Sequence, residues 1–150
     1  MESHKSIALF WFRRDLRLTD NKGLNAALEN HDNVLPIFIF DSNILEELET
    51  NDPRVSFIHH CLDSINENLK KFDSSIKVVY GNPYDVFEDL INEYSITDVY
   101  LNKDYEPYAR MRDKSIFELL TSNDIKLHGF KDQVIFEKLE VTKIDGNPYT

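Results

Sequence analysis

The chain has 150 residues, 41% of them hydrophobic, which is enough for one domain that buries roughly 70% of its unfolded surface. With 27 acidic against 17 basic residues and a formal net charge of −10, it repels polyphosphate as a whole, so bulk charge does not grip nucleic acid. The single cysteine, Cys61, has no internal disulfide partner, and no stretch approaches the roughly 18 apolar residues of a membrane span, so the sequence reads as a soluble protein of a reducing, cytoplasmic compartment.

The first apolar run, Ile7 to Phe12, is short and breaks at Arg13-Arg14, as a buried parallel strand followed by a charged loop would. A short helix with Leu24, Ala27 and Leu28 inward comes next, then a second strand, Val34 to Phe40, closing on Asp41-Ser42-Asn43. Asp52-Pro53 sets a capping side chain before a proline at the first helical position. The long helix it opens carries Phe57, Ile58, Cys61, Leu62, Ile65, Leu69 and Phe72 on one face, which places the Cys61 thiol in the core rather than in chemistry. Ile76 to Tyr80 reads as the third strand. Asn82-Pro83 repeats the capping device before Val86, Phe87, Leu90 and Ile91. A fourth strand, Asp98 to Leu101, leads into Asn102-Lys103-Asp104-Tyr105-Glu106, a helix from about Ala109 to Leu120 with Ile116, Leu119 and Leu120 inward, and a fifth strand, Ile125 to Phe130. Beyond it, Gln133 to Phe136 reads as extended and Asp145-Gly146-Asn147-Pro148 as a turn.

Strands alternating with helices give a doubly wound α/β fold, Rossmann-like, with about five parallel strands and helices on both faces. In such sheets ligands bind beyond the carboxyl ends of the strands, where neighbouring connections run to opposite faces. With the first strand central, that switch sets Arg13, Arg14 and Arg17 opposite Asp104, Tyr105 and Glu106, walls suited to a planar polar ligand. The same arginines have a plainer reading, as ties to Asp15, Asp20 and other loop carboxylates. Asp104 and Glu106 likewise read either as an acid/base pair or as solvated charges beside Arg110 and Arg112. The four glycines, Gly23, Gly81, Gly129 and Gly146, write neither a dinucleotide fingerprint nor a phosphate loop. His59 and His60 are adjacent and the other histidines scattered, so no metal site is expected.

The run Phe10-Trp11-Phe12-Arg13-Arg14-Asp15-Leu16-Arg17-Leu18-Thr19-Asp20-Asn21 resembles the opening of DNA photolyases and cryptochromes. Pro36 to Asp41, Arg54, Tyr105-Glu106-Pro107-Tyr108 with Arg110, Arg112 and Asp113, and Asp145 to Thr150 follow in that family's order. The resemblance implies that residues 1–130 form the amino-terminal, antenna-binding α/β domain. Residues 131–150 would then begin the linker to a helical domain, absent from this chain, which holds FAD, the lesion pocket and most contacts to damaged DNA.

What the resemblance implies for function is a light-harvesting domain of a deoxyribodipyrimidine photolyase in light-dependent DNA repair, the fragment itself having no catalytic residue. A cryptochrome photoreceptor is its near neighbour, and a structural or nucleotide-binding α/β module without chromophore the contrasting class. Family members that hold a deazaflavin or flavin antenna carry acidic and basic residues matched here by Asp41, Arg54 and Asp104, with Phe40 and Glu106 beside them. The implied chromophore is 8-hydroxy-5-deazaflavin or FMN rather than methenyltetrahydrofolate, because Tyr108 and Ala109 stand where folate-holding polar side chains would be.

Overall fold

The computed structural model describes residues 5–131. Along them run β1 (Ile7–Phe12), α1 (Lys22–Asn30), β2 (Val34–Asp41), α2 (Ser42–Leu45), α3 (Pro53–Lys70), β3 (Lys77–Gly81), α4 (Pro83–Glu93), β4 (Ile96–Asn102), α5 (Pro107–Ser122) and β5 (Lys126–Phe130). The strands form one parallel sheet in the order β3-β2-β1-β4-β5, the doubly wound architecture that the alternating pattern anticipates. The segment expected to be extended beyond Lys131, with its turn, lies outside the described residues.

Strand alternation divides the core in two. On β1, Ala8, Phe10 and Phe12 face α1 and α3, while Leu9 and Trp11 face α4 and α5. Each layer is tied by large buried rings: Phe10 meets Phe12 edge to face at 4.6 Å, and Trp11 meets Phe87 of α4 at 5.0 Å. Full burial of such a side chain stabilises the fold by about 1.5–3 kcal/mol. The helix starts follow the capping chemistry, Asp52 accepting from the Arg54 N–H and Asn82 from the Tyr84 N–H.

The long helix differs from its expected face. Its sheet-facing stripe is Val55, Ile58, Leu62, Ile65 and Leu69, a strict three-four spacing. Phe57 lies about 100° around the helix from Ile58 and is 67% exposed. Phe72 falls beyond the end of α3, where helical periodicity no longer applies, and is 77% exposed. Cys61, at the margin of the stripe, is half-buried rather than core, and Leu28 of α1 is exposed. The loop anticipated after β2 winds into the short α2, because the Asp41 carboxylate caps it by accepting from the Asn43 N–H.

Candidate functional site

Between the ends of β1 and β4 a buried polar lattice fixes the loops. Asn102, the last residue of β4, donates from Nδ2 to Asp15 Oδ2 at 2.5 Å and to Asn21 Oδ1 at 2.8 Å, while its Oδ1 accepts from the Gly23 N–H at 2.9 Å. Arg13 donates from its backbone N–H to Asp15, from Nη1 to Asp113 at 2.5 Å, and from Nη2 to the Asn102 carbonyl. All four residues Arg13, Asp15, Asn21 and Asn102 are buried, so the bonds among them are made away from water, where leaving one unmade is costly, while the Arg13–Asp113 pair at their edge is part-buried. The first turn of α1 is pressed against β4: a Cβ on Gly23 would stand 2.8 Å from Asn102 Oδ1 and 3.2 Å from the Leu101 backbone.

Over the carboxyl ends of β1 and β2 opens a cleft of about 360 Å³, bounded by α2 and α3 on one side and by the start of α5 on the other. Trp11, Phe38, Ile39, Leu45 and Ile58 supply apolar wall. Two nearly buried carboxylates interrupt it. Asp41, at 6% exposure, accepts from the Tyr108 hydroxyl at 2.6 Å on Oδ2 and lies 3.9 Å from Arg112 Nη1. Asp104, at 8%, accepts from the Glu106 N–H, and its Oδ2 stands 3.7 Å from Arg14 Nε. Burial, and then the Asp41 carboxylate that its hydroxyl binds, raise the Tyr108 phenol above its ordinary pKa.

The expected site residues meet in this cleft with one exception. Asp41, Arg54, Asp104 and Glu106 all line it. Glu106 does so from an exposed position, held at 2.7 Å by Arg14 Nη2. Arg54 is turned onto its own helix cap, its guanidinium fork on Asp52 at 2.5–3.1 Å, and those donors hold the Asp52 carboxyl down at about 2. Phe40 does not line the cleft: α3 lays His59 over its ring, stacked at 4.8 Å, and it belongs to the core.

The arginine cluster divides between its two readings. Arg14 faces Asp104 and Glu106 across the switch, whereas Arg13 is a buried tie and Arg17 donates to the Asp20 carbonyl. Tyr108 and Arg112 are the cleft residues that sequence reading does not single out as a pair, although their i, i+4 spacing on α5 puts them on one face. Arg112 lies 4.9 Å over the Trp11 ring and 5.8 Å over Tyr108.

A doubly wound sheet with an apolar, acid-lined cleft over its strand ends has the layout in which sheets of this class bind ligands. The DNA photolyase family model matches residues 8–150, and the chain belongs to that family, as its amino-terminal α/β domain. It is 32% identical to a deoxyribodipyrimidine photo-lyase of Synechococcus sp. (strain ATCC 27144), over 95% of this chain and 29% of that protein. Cryptochrome-1 of Mus musculus is 29% identical over 93% of this chain and 23% of its own length. Among solved structures, an archaeal photolyase from Sulfolobus tokodaii superposes with a TM-score of 0.79 at 32% identity, covering 91% of this chain and 32% of that one. That structure holds two FAD molecules, with the implication of a novel light-harvesting cofactor. The chain spans half or less of the length of the curated relatives it matches. Among the described residues, no helix is long and apolar enough to cross a membrane.

Proposed function

We propose that this chain is the light-harvesting domain of a deoxyribodipyrimidine photolyase, holding an antenna chromophore in the cleft over β1 and β2. Its partner is a helical FAD-binding domain of the same polypeptide, which acts on damaged DNA in the cytoplasm. When bound, the chromophore absorbs light and passes excitation to that FAD.

The observation that carries the reading is the pairing of Asp41 and Asp104, both nearly buried, within an apolar cleft of about 360 Å³. That volume is at the small end of the roughly 300–1,000 Å³ of ligand pockets, enough for one ring system with its tail in solvent. Carboxylates so placed accept N–H groups from a ring edge, and Phe38, Ile39, Leu45 and Ile58 supply apolar wall for its body. The residues therefore fit a tricyclic chromophore such as 8-hydroxy-5-deazaflavin or FMN. Methenyltetrahydrofolate fits less well, since the Tyr108 hydroxyl is already committed to Asp41. A cryptochrome photoreceptor domain is the second reading, favoured by the likeness to cryptochrome-1.

Absorption and fluorescence titration of the purified chain with 8-hydroxy-5-deazaflavin and FMN, with methenyltetrahydrofolate as control, tests the proposal. Saturable spectral shifts with either tricyclic are expected, weakened by about tenfold or more in Asp41→Ala or Asp104→Ala. No shift with any chromophore would leave an α/β module whose part in the protein is structural.

A further inference from the structure

We infer that β3 is a docking edge for a second copy of this chain: two β3 strands pair antiparallel about Val79 and join the two sheets into one. The inference is independent of what the cleft holds.

The sheet ends in β3 on one side and in β5 on the other. An edge strand presents unpaired N–H and C=O groups along its outer side, and proteins ordinarily blunt such a strand with charge, proline or a bulge. β5 is blunted: it reads Lys126-Leu127-His128-Gly129-Phe130, with a charge at its start and a glycine that weakens it near its end. β3 is not. Its register with β2 is continuous from Lys77 to Gly81, and its middle, Val78-Val79-Tyr80, is β-branched and aromatic with no charge or proline. Val79 packs against the core, while Val78 and Tyr80 point to the opposite face and are exposed, Tyr80 at 63%. Lys77, the strand's one charged residue, is held by Glu93 of its own chain at 3.0 Å.

The strand is complementary to itself. Antiparallel pairing about Val79 sets Val78 of each copy opposite Tyr80 of the other, and Lys77 opposite Gly81. Each pair on the exposed face is then aromatic with β-branched, and no like charges oppose. Charge around the edge selects the same direction. Asp41 lies in register with Gly81, so Glu46, Glu47 and Glu49, which follow α2, and Asp85 in the first turn of α4 stand towards the carboxyl end of β3. Lys71 and Lys70, the latter bridged to Glu67, stand at the end of α3 that leads into the amino end of β3. A parallel pair would set the two acidic ends side by side, whereas the antiparallel pair turns each towards the other copy's lysines. The two-fold uses both β3 edges, so assembly stops at the dimer. Five paired residues a side bury less than the roughly 1,200 Å² of a stable interface, and each copy carries a net charge of −10, so association is weak and is strengthened by salt.

Sedimentation velocity of the purified chain from about 10 to 500 μM, in about 50 mM and about 500 mM NaCl, tests the pairing. A monomer–dimer equilibrium is expected, half-associated at about 0.1 mM in the higher salt and weaker by about fivefold or more in the lower. Tyr80→Lys should keep the far-UV circular dichroism of the wild type and weaken the dimer by about tenfold or more. Register is read by cysteine pairs in a Cys61→Ala background. A Val78→Cys chain mixed with a Tyr80→Cys chain should oxidise to a disulfide dimer faster than either alone, because residues directly opposite stand about 4.5–5.5 Å apart at Cα. A chain that stays monomeric to about 500 μM in both salts would overturn the inference, as would a dimer that Tyr80→Lys leaves intact or an assembly larger than two. Should Tyr80→Lys not fold, the cysteine mixture decides: linkage no faster than in the separate chains refutes the pairing.

Discussion

Replacing Asn102 by alanine strands two buried groups at once. The Gly23 N–H loses its acceptor, and Asp15 Oδ2 loses the donor at 2.5 Å, whereas Asn21 Oδ1 keeps the Leu24 N–H. At about 1–3 kcal/mol for each buried group left unsatisfied, the expected loss is about 3–4 kcal/mol. In a domain of this size that lowers the melting temperature by about 10 °C. Asn102→Asp sharpens the test, since the shape is kept but a carboxylate oxygen replaces the amide that faces Asp15 and Asn21. It should cost more than alanine at pH 7 and recover as either carboxyl is protonated at low pH. Urea unfolding followed by far-UV circular dichroism measures both. A loss below about 1 kcal/mol for alanine, or an aspartate milder than alanine at pH 7, would refute the account of the lattice.

Phe87→Ala should destabilise the chain by about 3–5 kcal/mol, because the ring is fully buried against Trp11, while Phe72→Ala should stay within about 0.5 kcal/mol in the same denaturation assay. Gly23→Ala should destabilise despite alanine's better helix propensity, since its Cβ meets Phe10 at 2.9 Å and the Leu101 backbone at 3.2 Å; a raised melting temperature would contradict this. Asp52, held at about 2 against an ordinary 3.8, binds protons less readily in the folded chain than in the unfolded one. Its contribution is therefore present above about pH 4 and is lost as pH falls through about 2, with salt screening it. Carboxyl NMR should show that depressed midpoint, and Arg54→Gln should bring it back towards 3.8.

The five strands and the helices between them follow from the alternation of short apolar runs with capped helices, which is local information, whereas the order β3-β2-β1-β4-β5 is set by pairings between distant residues and only the central place of β1 was anticipated. Faces of individual helices are less legible. Phe57 and Phe72 look like core by composition, yet the sheet takes only the narrow stripe centred on Ile58, Leu62 and Ile65, which depends on how α3 is seated. The carboxylates of the cleft were legible because residues after parallel strands converge by topology alone. Arg112 was not, since nothing local says which of the two arginines on α5, Arg110 and Arg112, turns inward. Its orphaned Nη2 is visible only once Trp11, Asp41 and Asp113 surround it.

The lattice and the cleft explain one another. In a dinucleotide-binding sheet the turn after the first strand is glycine-rich, so a pyrophosphate can reach the backbone N–H groups at the start of the next helix. Here that turn is Arg13-Arg14-Asp15-Leu16-Arg17, and the Asn102, Asp15 and Asn21 side chains occupy the space between β1 and the first turn of α1. The Gly23 N–H, which could have met a phosphate, is spent on Asn102. What stays open is the region above β1 and β2 towards α5, where the Asp41 and Asp104 carboxylates stand among apolar side chains. Side chains at the end of β4 and in the turn after β1 thereby close the place where other sheets of this class grip phosphates, and leave the cleft beside it as the open end of the sheet.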